Sequence, residues 1–387
     1  MCYAPINNYI YCGSGSNVLV IDGATNLVIA TLAIGYGPYV MCYNSLNCKI
    51  YVAHYYGSSV EVIDCVSNRL VGTVPTGMQP TALCYNPQNN KVYCANQNDD
   101  NVTIFDGETE VVLATVCTGE WPWDLCYNSV NNKVYCLAWQ GETVTVIDGL
   151  TDSAVATVPT GPSPKALCYN SKDNKVYCAN GGSNDVTVID GEQDTVVVAV
   201  RVPYWPHYFC YNTRDDMVYC TNFAFIGNVS AIDGTTDSVV ATMLVQSSSD
   251  RLLYDSLNNK VYCSSYLCDT VAVIDCATNQ TVRAIGVGDG SIALCHNPIQ
   301  NRFYVANEAS ASISILRDSM PGIQEGNSPQ GSGHKPQPTL LRHLPAGSVA
   351  FDAMGRRVSN PKRGVYFVRE AQAQAQAQTV RKVVITR

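Results

Sequence analysis

The chain has 387 residues, of which 46% are hydrophobic and 14% charged, so it can bury a core and is not disordered along its length. Its net charge of −8 argues against nucleic acid as a partner of the main body. The apolar runs are short and broken by Gly, Asn or Asp, so no transmembrane helix is expected.

Met1-Cys2-Tyr3 aligns with Met41-Cys42-Tyr43, which lies inside a repeating unit. The chain is therefore expected to start mid-unit, with a signal peptide missing from it, and the lack of a leader says nothing about compartment. From there one pattern recurs: CYN, a polar turn, KVYC-A-N, a variable loop, TVTVIDG, and T-x-x-VVATV-x-TG-x-x-P. Its third segment ends at Asp22, Asp64, Asp106, Asp148, Asp190, Asp233 and Asp275, spaced by 42 residues with one step of 43. Its second segment places a tyrosine at Tyr11, Tyr51, Tyr93, Tyr135, Tyr177, Tyr219, Tyr262 and Tyr304. The eighth copy ends at Ser312-Ile313-Ser314-Ile315-Leu316, with Arg317 in the aspartate position.

Each unit holds four apolar stretches of strand length separated by Asn/Asp/Gly turns. Lys133–Cys136 and Thr143–Ile147 alternate as strands do, Asn128-Ser129-Val130-Asn131-Asn132 joins the first strand (A) to the second (B), and Asp148-Gly149 opens the turn from the third (C) to the fourth (D). Helix formers are scarce. The expected fold is all-β: an eight-bladed β-propeller of four-stranded antiparallel blades on a repeat of about 42 residues. Strands A, B and C appear eight times but D seven times. The missing outer strand is expected either upstream of Met1 or from the segment after residue 317; without it the ring closes by blade-to-blade packing alone.

Tyr219-Cys220-Thr221-Asn222 and its counterparts, with VIDG and VVATV following, resemble the YVTN β-propeller repeats of exported and surface-layer-type proteins. The resemblance covers residues 1–317 and implies fold more than activity. Cysteine stands here where that pattern usually has small apolar residues.

Residues 318–338 are rich in Gly, Pro, Ser and Gln, as a linker is. Residues 338–387 carry nine Lys and Arg against two acidic residues, while the rest of the chain carries 15 against 30, and this break marks a domain boundary. In residues 339–387, Ser348–Asp352, Gly364–Val368 and Arg381–Arg387 read as short strands of a small β-module, with the alternating Ala371–Gln378 run as a hairpin loop. The order D-x-x-G-R, G-V-Y-F-V-R and a terminal basic strand is similar to the C-terminal sorting domains of the type IX secretion system. That resemblance implies contact with secretion machinery and a protein that ends secreted or on the cell surface. A β-module that merely accompanies the propeller is the plainer alternative.

Of the eighteen cysteines, seven fall in strand A and six in strand B. In five blades an A cysteine precedes a B cysteine by ten residues, as in Cys84 and Cys94, Cys126 and Cys136, Cys168 and Cys178, and Cys210 and Cys220. A hairpin centred near residue 89 would set such a pair face to face. Three readings stay open: cysteine as a small apolar filler between blades, a cross-strand disulfide contributing about 2–3 kcal/mol per blade, and metal binding. No C-x-x-C occurs, so zinc-ribbon spacing is absent and no metal is expected. The turn aspartates are expected to bond nearby backbone N–H groups, and the spacing around Asp148 and Asp233 fits calcium poorly. No nucleotide, dinucleotide or haem-attachment motif appears, and no cofactor is expected.

Residues that differ between blades carry the functional signal. The D→A and B→C loops open on one face of a propeller, around its channel. D→A loops carry Tyr36, Tyr39, Trp121, Trp123, Tyr204, Trp205 and His207, and B→C loops carry His54, Tyr55, Tyr56, Trp139, Phe223, Phe225 and Tyr266. All four tryptophans are in this set. Such a concentration reads as a face that binds a glycan, a peptide or another surface protein, the alternative being rings that pack over neighbouring blades. The residue after the recurrent proline, at the channel mouth, runs Tyr39, Thr81, Trp123, Lys165, His207, Asp250, Ile292. Lys165, His207 and Asp250, on successive blades, are the candidates for proton-transfer chemistry. The leading expectation is a non-catalytic binding scaffold. The alternatives are an extracellular lyase or hydrolase at His207, Asp250 and Lys165, and a surface-layer-like structural protein.

Overall fold

The computed structural model describes residues 1–35, 37–223, 227–246 and 249–317, and the backbone of residues 339–341, 349–351, 357–358, 364–369 and 380–385. The chain divides into two compact units, Met1–Pro321 and Gly322–Arg387. The first is the expected all-β propeller: eight antiparallel sheets in chain order, seven with four strands and the last with three. The A strands of neighbouring blades pack on one another around the ring, and Ser291–Asn297 of blade 8 packs on Cys2–Ala4 of blade 1, so the ring is closed. The outer strand of blade 8, Ser312–Arg317, has no D partner among the described residues. Blade 8 thus lacks its D strand among the described residues, and the ring is closed by contact between blades 8 and 1.

Burial follows radial position. Strand B of blade 4, Lys133–Ala138, is buried on both faces because a blade lies on either side, whereas strand D, Ser153–Pro159, is mostly exposed. Val134 joins a core cluster with blade 3 and Tyr135 one with blade 5. The eight B-strand tyrosines are the largest fully buried side chains of the unit. A buried hydroxyl needs a partner, and most of these find it on the next blade. Tyr51 donates to the Gly107 carbonyl at 2.9 Å, Tyr135 to Asp194 at 2.7 Å and Tyr177 to Asp237 at 2.7 Å.

The other repeated polar residues do the same work. The asparagine ending strand A donates to the A→B turn of the next blade, as Asn86 to Asn132 at 2.7 Å and Asn128 to Asn174 at 2.8 Å. That turn needs a left-handed residue, and Asn90, Asn132 and Asn174 sit at φ 56, 54 and 54, a conformation asparagine tolerates. The lysine opening strand B reaches the following blade's C→D turn, as Lys91 to Asp152 and Lys133 to Asp194, both at 2.7 Å. The turn aspartates accept backbone N–H groups, for example Asp148 from Leu150 and Thr151. The motif is therefore the latch between blades, which explains why it recurs.

The cysteine register corrects one expectation. Asn86 pairs with Lys91, so Cys84 stands opposite Tyr93 and Cys94 opposite Leu83. The same one-residue offset holds for Cys126 and Tyr135, Cys168 and Tyr177, and Cys210 and Tyr219. Cys84 and Cys94 thus point to opposite faces of their blade, into the clusters shared with blades 4 and 2 respectively. The disulfides Cys84–Cys94, Cys126–Cys136, Cys168–Cys178 and Cys210–Cys220 do not form, and these eight cysteines are free thiols. They fill apolar slots between blades, where burial pushes thiols such as Cys84 and Cys168 up to about 12.

In the second unit, strands Thr339–Leu341, Val349–Phe351, Arg357–Val358, Gly364–Arg369 and Val380–Ile385 form one mixed sheet. Val380–Ile385 lies between Thr339–Leu341, to which it is parallel, and Gly364–Arg369, to which it is antiparallel. The D-x-x-G-R turn and the Ala371–Gln378 run lie outside the described residues.

Candidate functional site

Each A strand from blade 2 onward starts at the channel mouth with a β-bulge. In blade 4, Pro122 pairs with Ala138 but Asp124 with Leu137, so Trp123 is the extra residue. A bulge re-aims side chains, and two successive positions therefore reach the channel. A cavity of ≈290 Å³ at the mouth is lined by Tyr39, Thr81, Trp123 and Lys165 from the first position and by Asp124, Tyr208 and Arg251 from the second. The second position is Val40, Ala82, Ala166 and Ala293 in other blades. Sequence reasoning followed the first column and missed Asp124, Tyr208 and Arg251; their departure from a small apolar column was the available signal.

The loops on this face are tied together within each blade. The residue before the first residue of strand A takes a left-handed conformation: Gly37 and Gly290 have φ 78 and 73, Gln79 and Ser163 have φ 55 and 53, and Trp121 and Trp205 have φ 60 and 57. Glycine takes this conformation freely, whereas a bulky residue does so at a cost. Trp121 N–H donates to Asp100 at 2.8 Å and Trp205 N–H to Asn184 at 2.9 Å. Their carbonyls accept from Trp139 and Phe223 of the B→C loops, both at 2.8 Å.

Three aromatic groups result. In blade 2, Tyr39, half exposed, lies 5.1 Å from Tyr55, which lies 5.1 Å from Tyr56. In blade 4, Trp121 stacks on Trp139 at 5.4 Å with 22° between planes. In blade 6, Tyr204 and Trp205 are 5.8 Å apart, and His207 lies 4.4 Å from Tyr208 and 5.9 Å from Phe223. Exposure is 38% for Trp121, 57% for Tyr204 and 39% for Phe223, so part of each group faces solvent. Blades 3 and 5 between them carry Gln79 and Gln97, and Ser163 and Gly181, at the paired loop positions. Tyr36 and Phe225 lie outside the described residues.

Lys165 sits with Nζ 4.7 Å over the Trp139 ring, and Arg251 with Cζ 3.8 Å over Tyr208. Burial lowers Lys165. Burial, aided by Lys165 and Arg251, pushes His207 down to about 4, so its imidazole is neutral at pH 7. Its Nδ1 is buried without a hydrogen-bond partner. Burial raises Asp250, with Arg251 opposing. No hydrogen bond or ion pair joins Lys165, His207 and Asp250 among the described residues. Asp124 is pushed up to about 6 by burial, although its two oxygens accept N–H groups from Leu125 at 2.9 Å and Leu167 at 2.8 Å.

No family model matches the chain, and no curated protein matches it. Among solved structures it is similar to hydrazine synthase of Kuenenia stuttgartiensis, with TM-score 0.60 and 17% identity over 73% of this chain and 96% of that one. It is also similar to the dihydro-heme d1 dehydrogenase NirN in complex with DHE, with TM-score 0.67 and 12% identity over 82% of this chain and 74% of that one. The fold is a propeller. At these identities the likeness speaks for architecture alone, since one fold hosts many functions.

Proposed function

We propose that this protein is a non-catalytic binding scaffold, secreted or held at the cell surface, that captures a glycan, peptide or surface protein on its aromatic loop face. The observation that carries this reading is the backbone of Trp121 and Trp205. Both stand in a left-handed position that glycine fills in blade 2 and the smaller Gln79 and Ser163 fill in blades 3 and 5, with their loops pinned by side-chain hydrogen bonds. A fold keeps a tryptophan in a strained backbone position when its ring has a use there. Location rests on two resemblances, of the propeller to YVTN repeats and of the tail to type IX sorting domains, and the tail would engage the secretion machinery. A screen of glycans and peptides against the purified chain, read by tryptophan fluorescence, tests the binding role. Deletion of residues 339–387 tests the address: normal export of the truncated protein would refute it.

A lyase or hydrolase at the channel mouth is the second reading. It draws on the neutral His207 with a bare Nδ1, suited to accept a proton, and on the two similar solved structures, a synthase and a dehydrogenase by name. Loss of turnover in His207→Ala would favour it over a scaffold.

A further inference from the structure

We propose that the channel mouth selects carboxylated saccharides, with Lys165 and Arg251 reading the carboxylate and the adjoining rings carrying the sugar. The inference rests on the binding role proposed above and narrows its ligand.

Cations on this propeller are mostly committed to its latches. Lys49 is paired with Glu110, Lys91 with Asp152, Lys133 with Asp194 and Lys175 with Asp237. Lys165 and Arg251 differ. They come from blades 5 and 7, line one cavity, and neither is ion-paired among the described residues, in a body with twice as many acidic as basic residues. Each rests instead on an aromatic face. That contact holds a cation in place without using its N–H groups. The carboxylate in the same wall, Asp124, is turned onto the N–H groups of Leu125 and Leu167 and, like Asp250 beside Arg251, feels the guanidinium at a distance without pairing with it. Two fixed cations in a recess, neither in an ion pair among the described residues, fit a ligand carboxylate, which Arg can hold by two parallel hydrogen bonds.

The rest of the ligand follows from shape. A cavity of ≈290 Å³ sits at the small end of ligand pockets, which suits one or two sugar rings rather than a long chain. Trp123 lines it, and Lys165 bridges from it to the stacked Trp121–Trp139 pair. Flat ring faces beside a charge reader accept the apolar face of a pyranose while its acid group turns inward.

The test uses the full chain with three probes: digalacturonate, its methyl ester, and a short oligoglutamate peptide. Calorimetry should show digalacturonate bound at least ten-fold more tightly than either, with affinity falling as salt rises. Lys165→Gln and Arg251→Gln, each checked by circular dichroism for a folded propeller, should bring the acid-to-ester ratio close to one. Equal binding of acid and ester by the parent overturns the inference while leaving the binding face intact. Tighter oligoglutamate binding overturns it in favour of an acidic peptide. If none of the three probes binds and the wider screen returns a neutral glycan, this inference fails alone. If that screen returns nothing, both readings fail.

Discussion

Arg302 in blade 8 donates from Nη1 to the Gly23 carbonyl in blade 1 at 2.6 Å, and also reaches Asn26 Oδ1 at 2.9 Å. Tyr304 adds a bond to Asn26 at 2.7 Å, and Asn297 one to Asn8 at 2.8 Å. The junction that closes the ring thus uses the same three latch positions as the junctions that follow blades 2, 4 and 5, with arginine in place of lysine. A shared D strand is not needed to join the two ends.

Removing a buried charged donor leaves its carbonyl partners unsatisfied, at a cost of about 1–3 kcal/mol. Arg302→Ala should therefore lower the unfolding free energy by that amount, read as a lower urea midpoint at unchanged slope. Arg201→Ala, whose side chain is 80% exposed beside Asp185, should stay within about 0.5 kcal/mol. Equal midpoints for the two variants would show that the junction is held by apolar packing alone.

The free cysteines give a second expectation. Denatured, unreduced protein should titrate all eighteen thiols, and reductant should add none. The partner of Cys84 is Tyr93, so a Cys84–Cys94 bridge would require two side chains on opposite faces to meet. A shortfall of paired thiols would mean that the strand register differs from the one described.

Most of the architecture was legible because the residues that fasten blade to blade recur with the blades. The tyrosine of every unit, and the lysine and two asparagines of most, announce both the period and, in the structure, the contact that makes it. Two things were not legible, each for a local reason. The A→B hairpin turns between Gln88 and Asn89 rather than on residue 89, and that half-step exchanges Tyr93 for Cys94 as the partner of Cys84. At the mouth, the bulge after each proline turns two successive side chains toward the channel. Strict alternation assigns only one of them, so Asp124, Tyr208 and Arg251 were passed over. The aromatic loops were readable as a set because their variation stood out against a monotonous opposite face.

Trp205→Gly separates backbone strain from ring function. Glycine at φ 57 relieves about 1–2 kcal/mol of left-handed strain, and its extra freedom in the unfolded chain returns roughly 1 kcal/mol of that. Melting should therefore stay within a few degrees of the parent. Binding of whatever glycan or peptide the screen returns should weaken by about 1–3 kcal/mol, as for a lost aromatic anchor. A variant that melts early yet binds normally would make Trp205 a packing residue and count against the aromatic face as the site.

The channel mouth should also leave a signature in stability against pH. Asp124 is raised to about 6 in the folded state, against about 3.9 in an unfolded chain. Between those values the folded state holds the extra proton, so this residue's contribution falls as pH rises from about 4 to 6. His207 is lowered to about 4, against about 6.5 unfolded. There the unfolded state holds the extra proton, so its contribution rises with pH from about 4 to 6.5. The two slopes oppose each other in the parent, with Asp250, also raised by burial, adding to that of Asp124. Asp124 faces Tyr39, Tyr208 and Arg251 as well as neighbouring thiols. Melting the parent, Asp124→Asn and His207→Gln from pH 4.5 to 7 isolates each term by difference. Relative to the parent, Asp124→Asn should become more stable with rising pH, and His207→Gln less so. Parallel curves for all three proteins would mean that neither group titrates away from its ordinary value, and that the mouth is wetter than its packing implies.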